Sequence, residues 1–442
     1  MEKLAACLTV LHQQLPNTLI VDDPMSLHDY AIDGRIPGIL IRPRTVEEAS
    51  KIVKIINQYQ LNVLTRGGGT RIHQGGQPDN IDILIETTAI NRVLEHEAPD
   101  LTCHVEAGIT LGQLQEQLSM TGQKIALDPP DAEFATIGGL LATNASGPKR
   151  LRYGSARDLV IGLHVIQATG EITRSGGRVV KNVAGYDLNK LYIGSYGTLG
   201  IIIEANFKLH PIPQQEKTLL FTFTNCEDAM GTAITLIQSP LSPSAIELVA
   251  MEKQADALFH GVFPEHGYTL AVDFENSTIA MTRQINETRK IANTHHPFQS
   301  SELEGHEQKR FWQTIRQQMQ GTITCKISLP IARIATYVHE MENICQQKKL
   351  TATIIAHAGN GILYAELGPH TQEMQIVEVI IELRQLAQTF KGNLIVECCP
   401  TQVKQQLSVW GDPRSDFYLM QRLKQQFDPC GLFVRGRYLG GL

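Results

Sequence analysis

The sequence predicts an α+β protein of more than one domain, and three observations carry that expectation. A chain of 442 residues is longer than one hydrophobic core usually organises. Helical and strand periodicities alternate along it. The stretch "KLHPIPQQEK" sets two prolines and a polar run near residue 213, which suits a boundary between domains.

The first elements have clear grammar. Thr45 and Glu48 form a capping-box pattern, and Ala49, Ile52, Val53 and Ile56 recur at helical spacing, so a helix is expected from about Val46. "LNVLT" alternates as a strand and runs directly into "RGGGTR", residues 66–71. Strands are expected in "IDILIET" and "TCHVEAG", a helix in "TLGQLQEQL", and loops around "LDPPDAEFATIGG" and "TNASGPKRLRYG". "DLVIGLHVIQATGEI" reads as two strands around a turn, followed by a glycine-dense stretch from Gly176 to Gly200. Past residue 213, strands such as "LLFTFTN" and "TLAVDFE" alternate with helical patterns, an α+β layer of its own.

Composition narrows the function. Hydrophobic residues at 42% and charged residues at 19% fit a folded chain. The 39 basic and 45 acidic side chains leave a net charge of −6 with no basic block, which argues against a nucleic-acid partner. Cysteines at 7, 103, 226, 325, 345, 398, 399 and 430 form no CxxC pair. Reduced thiols are expected, and any cysteine-ligated iron-sulfur cluster would belong to another subunit. Leu4-Ala5-Ala6-Cys7 has the look of a lipoprotein cleavage box, but too few residues precede the cysteine for a signal peptide, so an amphipathic helix is expected. No apolar run reaches the roughly 20 residues of a membrane span. The expected location is cytoplasmic, with any membrane contact peripheral at the inner face.

Glycines at a strand end let the backbone approach a ligand, and successive N–H groups can hold a pyrophosphate. "RGGGTR" is no Walker loop, since no Gly-Lys-Ser/Thr follows. It is no Rossmann fingerprint either, since Ile72 stands where the third glycine should be. Alone it is most simply a tight hairpin. "ATIGGLLATNASG" and "GGRVVKNVAGYDLNKLYIGSYGTLGII" add further glycine turns and ask for a common reason.

"RGGGT", "DPPDAEFATIGGLLATNASG", "RYGSARDLVIG", "KNVAGYDLNKL" and "GSYGTLGII", in order over about residues 36–213, resemble the FAD-binding domain of the vanillyl-alcohol oxidase superfamily. Within it they are most similar to the FAD-binding E subunit of glycolate oxidase. The resemblance implies a two-subdomain FAD-binding domain of PCMH type over residues 1–212 and an α+β cap over 213–400. A helical segment, 401–442, would then return to the FAD domain. It implies that Gly67, Gly68, Gly69 and Thr70 cradle the pyrophosphate, with Arg66 and Arg71 offsetting its charge. Thr136, Ile137, Gly138, Gly139, Asn144, Ser146 and Gly147 would line the cofactor, and Thr198, Gly200 and Ile202 would lie near its nucleotide half. Thr70 occupies the place of the histidine that binds flavin covalently in some relatives, so noncovalent FAD is expected, with His73 a minor alternative. Lys181 reads equally as a surface charge or as a cofactor contact.

Oxidising a 2-hydroxy acid at flavin requires hydride transfer, a base for the hydroxyl proton and a cation or metal for the carboxylate. Related D-2-hydroxyacid dehydrogenases use a His-x-Gly-Asp-Gly-Asn-x-His segment and a later glutamate as metal ligands. In "HAGNGILY" His357 matches the first histidine, but Asn360, Ile362 and Tyr364 replace the others. Glu397 resembles the glutamate, with Cys398 where a histidine commonly follows. A phenol is a poor substitute for imidazole towards a borderline metal, so a degenerate turn and no resident metal are expected. His357 could still act as base, and Arg316 or Lys326 could meet a carboxylate; the plainer reading makes all three packing residues. Tyr196 where relatives carry glutamate and "TNASG" are further departures that suit the E-type subunit, and Val434-Arg435 in the closing "FDP" segment implies a second domain that is related but altered.

The resemblance thus implies an FAD-bearing subunit of a glycolate or D-lactate dehydrogenase complex, passing electrons to an iron-sulfur partner beside a homologous flavoprotein catalytic subunit. The alternatives are a self-sufficient 2-hydroxyacid dehydrogenase and a scaffold without flavin.

Overall fold

The computed structural model describes residues 2–177, 186–250, 267–368 and 373–442, so Lys181 lies outside the described residues. Three main sheets organise the chain. The first has four strands in the order Leu19–Val21, Ile39–Arg42, Ile83–Glu86 and Val63–Arg66. The Leu19–Val21 pairing is antiparallel and the others are parallel. Helices Glu2–Gln14 and Val46–Tyr59 bury Cys7, Leu11, Ile52, Val53 and Ile56 against Ile39, Ile41, Ile83 and Ile85.

The helix Val46–Tyr59 starts where the Thr45 hydroxyl accepts the Glu48 N–H at 3.1 Å. The reciprocal half of the capping box differs from expectation. The Glu48 carboxylate accepts the Arg44 N–H at 2.6 Å and the Thr18 hydroxyl, tying the helix start to the residue that precedes the Leu19–Val21 strand.

The second sheet has five antiparallel strands in the order Val93–Glu97, Thr102–Glu106, Ile201–Lys208, Val160–Ile166 and Ile172–Gly176. Val105, Leu163, Val165, Ala205 and Phe207 pack with the apolar faces of helices Leu111–Ser119 and Ile137–Thr143. Ile201 and Ile203 turn instead into the core of the first sheet, joining the two subdomains.

The third sheet has eight antiparallel strands in the order Gln299–Glu304, Gln215–Phe223, Tyr268–Asn276, Ala245–Ala250, Thr351–His357, Ile362–Gly368, Thr324–Ser328 and Asn393–Cys398. Period-two alternation separates its faces. Phe221, Leu248, Val272, Cys325, Ala356, Leu363 and Val396 pack with helices Cys226–Gln238, Thr278–Asn293, Ile334–Gln347 and Glu373–Thr389. On the same strands, Glu247, Glu275, Lys326, His357, Tyr364 and Glu397 occupy the alternate positions. Helix Gly305–Gln318 covers part of that second face through Phe311, Trp312 and Ile315.

The rest of the second face meets the first domain. Glu275 accepts the Lys124 ammonium at 2.7 Å, the Lys149 ammonium and the Tyr153 hydroxyl. The chain end closes the structure from the other side. The Val63 N–H donates to the Leu432 carbonyl at 2.8 Å and the Val434 N–H to the Val63 carbonyl at 3.0 Å, extending the first sheet by a parallel bridge. Asp33 anchors this return by accepting Lys404 at 2.8 Å, with Arg437 at 3.6 Å.

Candidate functional site

The strand Val63–Arg66 ends at the glycine turn, which faces the start of helix Ile137–Thr143. The Thr136 hydroxyl caps that helix on the Gly139 N–H at 3.3 Å and also receives the Gly68 N–H at 3.4 Å. Side chains would not fit here: a carbon added at Gly67 would lie 1.9 Å from the Thr136 hydroxyl oxygen, and at Gly68 2.2 Å from the Phe134 carbonyl oxygen. Gly69 has φ +78°, in the left-handed region. The far end of the helix is closed by the Gly194 and Tyr196 amides, which donate to Leu141 and Ala142 carbonyls at 2.9 and 2.8 Å.

Between these parts lies a cavity walled by the turn from Leu64 to Ile72, Thr136, Gly139, Ala142, Thr143, Tyr196, Gly197 and Arg437. Tyr196 has φ +55°, stacks on Tyr438 at 5.6 Å and meets Trp410 edge-on at 4.8 Å. Arg71 and Thr143 are shared with a second cavity, which reaches the cap sheet at Lys326, Tyr364 and Glu397 and the segment Ala145–Ser146. Lys326 and Tyr364 are direct cross-strand partners. The Lys326 ammonium sits 2.9 Å from Glu397 and 5.4 Å from the Tyr364 ring centre.

Of the residues singled out by sequence, the structure brings Arg66, Gly67, Gly68, Gly69, Thr70, Arg71, Thr136 and Gly139 to the first cavity, and Ser146 and Lys326 to the second. Others lie off both walls. Ile137 and Ile202 are core residues; Gly138 lies against Ala107, Gly147 against the Asp128 carbonyl and Gly200 against Val165. Asn144 is the left-handed C-cap of helix Ile137–Thr143. Thr198 lends its carbonyl to Lys424 at 2.9 Å. His73 leaves the wall and faces Asp33 at 3.4 Å. Arg316, on helix Gly305–Gln318, lies near the half-buried Asp128 rather than on either cavity wall.

His357 is likewise outside both walls. Its ring is buried, with Nδ1 2.8 Å from both oxygens of Glu247, its direct cross-strand partner, and Tyr364 edge-on at 5.4 Å. Burial drives both partners towards their neutral forms, lowering the imidazole pKa well below its usual value and raising the Glu247 carboxyl well above its own. Glu247 thus engages His357, and Lys326 engages Glu397. Sequence reasoning missed Glu247, Thr143 and Arg437. The closing "RGR" was a signal for Arg437; Glu247, an acid inside the apolar strand "AIELVA", was one for itself.

Comparison with known proteins gives this geometry a family. Residues 37–176 match the FAD binding domain family and residues 212–438 the C-terminal domain of FAD linked oxidases. The chain belongs to the FAD-linked oxidases.

Among relatives, glycolate oxidase subunit GlcD of Bacillus subtilis (strain 168) is 27% identical over 420 residues, 91% of this chain and 89% of the relative. The mitochondrial cytochrome-linked D-lactate dehydrogenase of Arabidopsis thaliana is 31% identical over 74% of this chain and 59% of its own length. D-lactate dehydrogenase of Archaeoglobus fulgidus is 28% identical over 90% of each. The fold is of PCMH type: substrate-bound p-cresol methylhydroxylase superposes with a TM-score of 0.78 at 15% identity, covering 99% of this chain and 97% of that one.

This FAD-linked oxidase is therefore an oxidoreductase with an FAD-binding domain, and the glycine turn at its first cavity has the backbone character that a pyrophosphate needs. Backbone is exposed where a Cβ would collide. On the wall of that cavity the buried Arg66 Nε, 3.9 Å from the nearest Glu86 oxygen, has no hydrogen bond. No helix among the described residues is long and apolar enough to cross a membrane.

Proposed function

We propose that this chain is the FAD-bearing subunit of a glycolate or D-lactate dehydrogenase, oxidising or relaying electrons from a small 2-hydroxy acid towards an iron-sulfur partner subunit. The observation that carries this reading is the shared wall of the two cavities, where Arg71 stands between the glycine turn and the cap sheet's Lys326, Tyr364 and Glu397. Bound FAD would supply the two-electron acceptor.

The chain's own groups divide the remaining work. Amides of Gly67 to Thr70 offer donors for a pyrophosphate, and Arg66 and Arg71 offset its charge. Arg71 and Lys326 are the cations of the second cavity, and a small hydroxy-carboxylate needs such a pair. Burial lowers the Lys326 pKa, but Glu397 more than reverses this and raises it, so Lys326 is a cation and no base at neutral pH. Burial raises the Tyr364 phenol, which also keeps its proton. His357, the base of the self-sufficient alternative, is buried off both walls, with Tyr364 edge-on at 5.4 Å. Among the described residues neither cavity wall carries an imidazole, which favours a subunit that holds flavin and turns over slowly alone.

The purified chain tests this. Acid should release yellow flavin, and anaerobic glycolate or D-lactate should bleach the bound flavin slowly or not at all. Fast bleaching and steady turnover by the single chain would overturn the subunit reading in favour of a self-sufficient dehydrogenase. Failure to take up added FAD would leave only the scaffold.

A further inference from the structure

The outer face of the five-stranded sheet carries a cluster that the flavin site does not use. His104 lies on strand Thr102–Glu106, Glu204 on Ile201–Lys208 and His164 on Val160–Ile166, three adjacent strands. Glu204 pairs directly with His164, and His104 lies one step along, opposite Asn206. A register shift between Ile202 and Glu204 makes this possible. Ile201 and Ile203 point into the core of the first sheet, whereas beyond the shift Ala205 and Phe207 point into the core of the second. The bulge therefore gives Ile203 and Glu204 the same side of the sheet and re-aims the carboxylate at the two rings.

We propose that His104, His164 and Glu204 form a binding site for a borderline divalent metal ion, Zn2+ being the probe of choice. One ligand atom from each residue lies within 4.8 Å of the others. The Glu204 Oε2 atom stands 2.8 Å from His104 Nε2 and also contacts His164 Nδ1, so both ring nitrogens converge on one carboxylate oxygen. Two imidazoles and a carboxylate are a ligand set suited to zinc, with water completing the shell. Tetrahedral bonds of about 2.0–2.2 Å separate donors by roughly 3.3 Å, so the three side chains need only small shifts to take the ion. Side-chain exposures of 7% for His104, 13% for Glu204 and 16% for His164 leave them held yet reachable.

The surroundings fit a solvent-fed site. The cluster opens into a cavity whose wall includes Glu95, the cross-strand partner of His104, and Arg174, that of His164. None of the lining residues is shared with the flavin cavity. Sequence inspection, which expected no metal, could not find this set because its members sit on three separate strands.

The test is a Zn2+ titration of the chelator-stripped, FAD-loaded chain against a chromophoric competitor. One equivalent should bind, and Glu204→Gln and His164→Ala should each weaken it by more than the roughly tenfold that losing a supporting group costs, with FAD content unchanged. His357→Gln should retain the equivalent. No bound zinc in the unaltered chain, unaltered affinity in Glu204→Gln, or loss only in His357→Gln would each overturn the proposal. Should Glu204→Gln fail to fold, Co2+ added to the unaltered chain decides: a tetrahedral visible spectrum upholds the site, and its absence overturns it.

Discussion

One added methyl group suffices to test the cradle. Gly68→Ala would put a carbon 2.2 Å from the Phe134 carbonyl, a backbone atom that cannot swing aside, so the turn must move away from Thr136. Flavin retained per chain after gel filtration should fall by more than half. Gly368→Ala, whose added carbon meets nothing within 4 Å, should retain it fully; equal occupancy in the two variants would remove Gly68 from the pyrophosphate cradle. At this scale the sequence was legible where a role rests on backbone and several motifs agree: the turn from Arg66 to Arg71 alone reads as a hairpin, and gains its meaning from the glycine turns that follow it. It was opaque where a side chain's role depends on a distant partner. Nothing near His357 announces Glu247, 110 positions away. Nor does any local pattern separate Lys326, which strand alternation turns into the cavity, from Arg316, which a helix sets beside Asp128.

Elements with local signals were the most readable. The start at Val46, the helix Leu111–Ser119 and the paired strands in "DLVIGLHVIQATGEI" follow from caps, spacing and a turn. Thr45→Ala removes the hydroxyl that accepts the Glu48 N–H and should cost about 1 kcal/mol of stability, read as a lower urea midpoint at unchanged slope. A midpoint equal to that of the unaltered chain would mean that Glu48's contacts to Arg44 and Thr18 hold the helix start by themselves. The order of the eight-stranded sheet was not readable, because Ala245–Ala250 pairs with Thr351–His357 across a hundred residues of intervening chain, and alternation specifies faces but not neighbours. The acids inside "AIELVA" and "LAVDFEN", Glu247 and Glu275 among them, were an unread signal, since a buried strand gives a carboxylate no place without a partner.

At the scale of the whole molecule, the cap sheet is held to the FAD domain through the charges gathered on Glu275. Burial raises that carboxyl, yet Lys149 and Lys124 outweigh burial and hold it at about 2, against 4.5 for a free glutamate. A carboxyl whose folded pKa lies below its unfolded value stabilises fully above the unfolded value and loses that contribution as protons bind. The clamp should therefore be intact above about pH 4.5 and weaken progressively as pH falls towards 2. Because the second cavity needs walls from both domains, flavin should become accessible to quenchers in that same window. Glu275→Gln leaves Lys124 and Lys149 facing a neutral amide, so its flavin should be quenched more readily already at neutral pH, with a shallower dependence below 4.5. Identical quenching profiles for the two proteins would show that the charge of Glu275 does not hold the domains together.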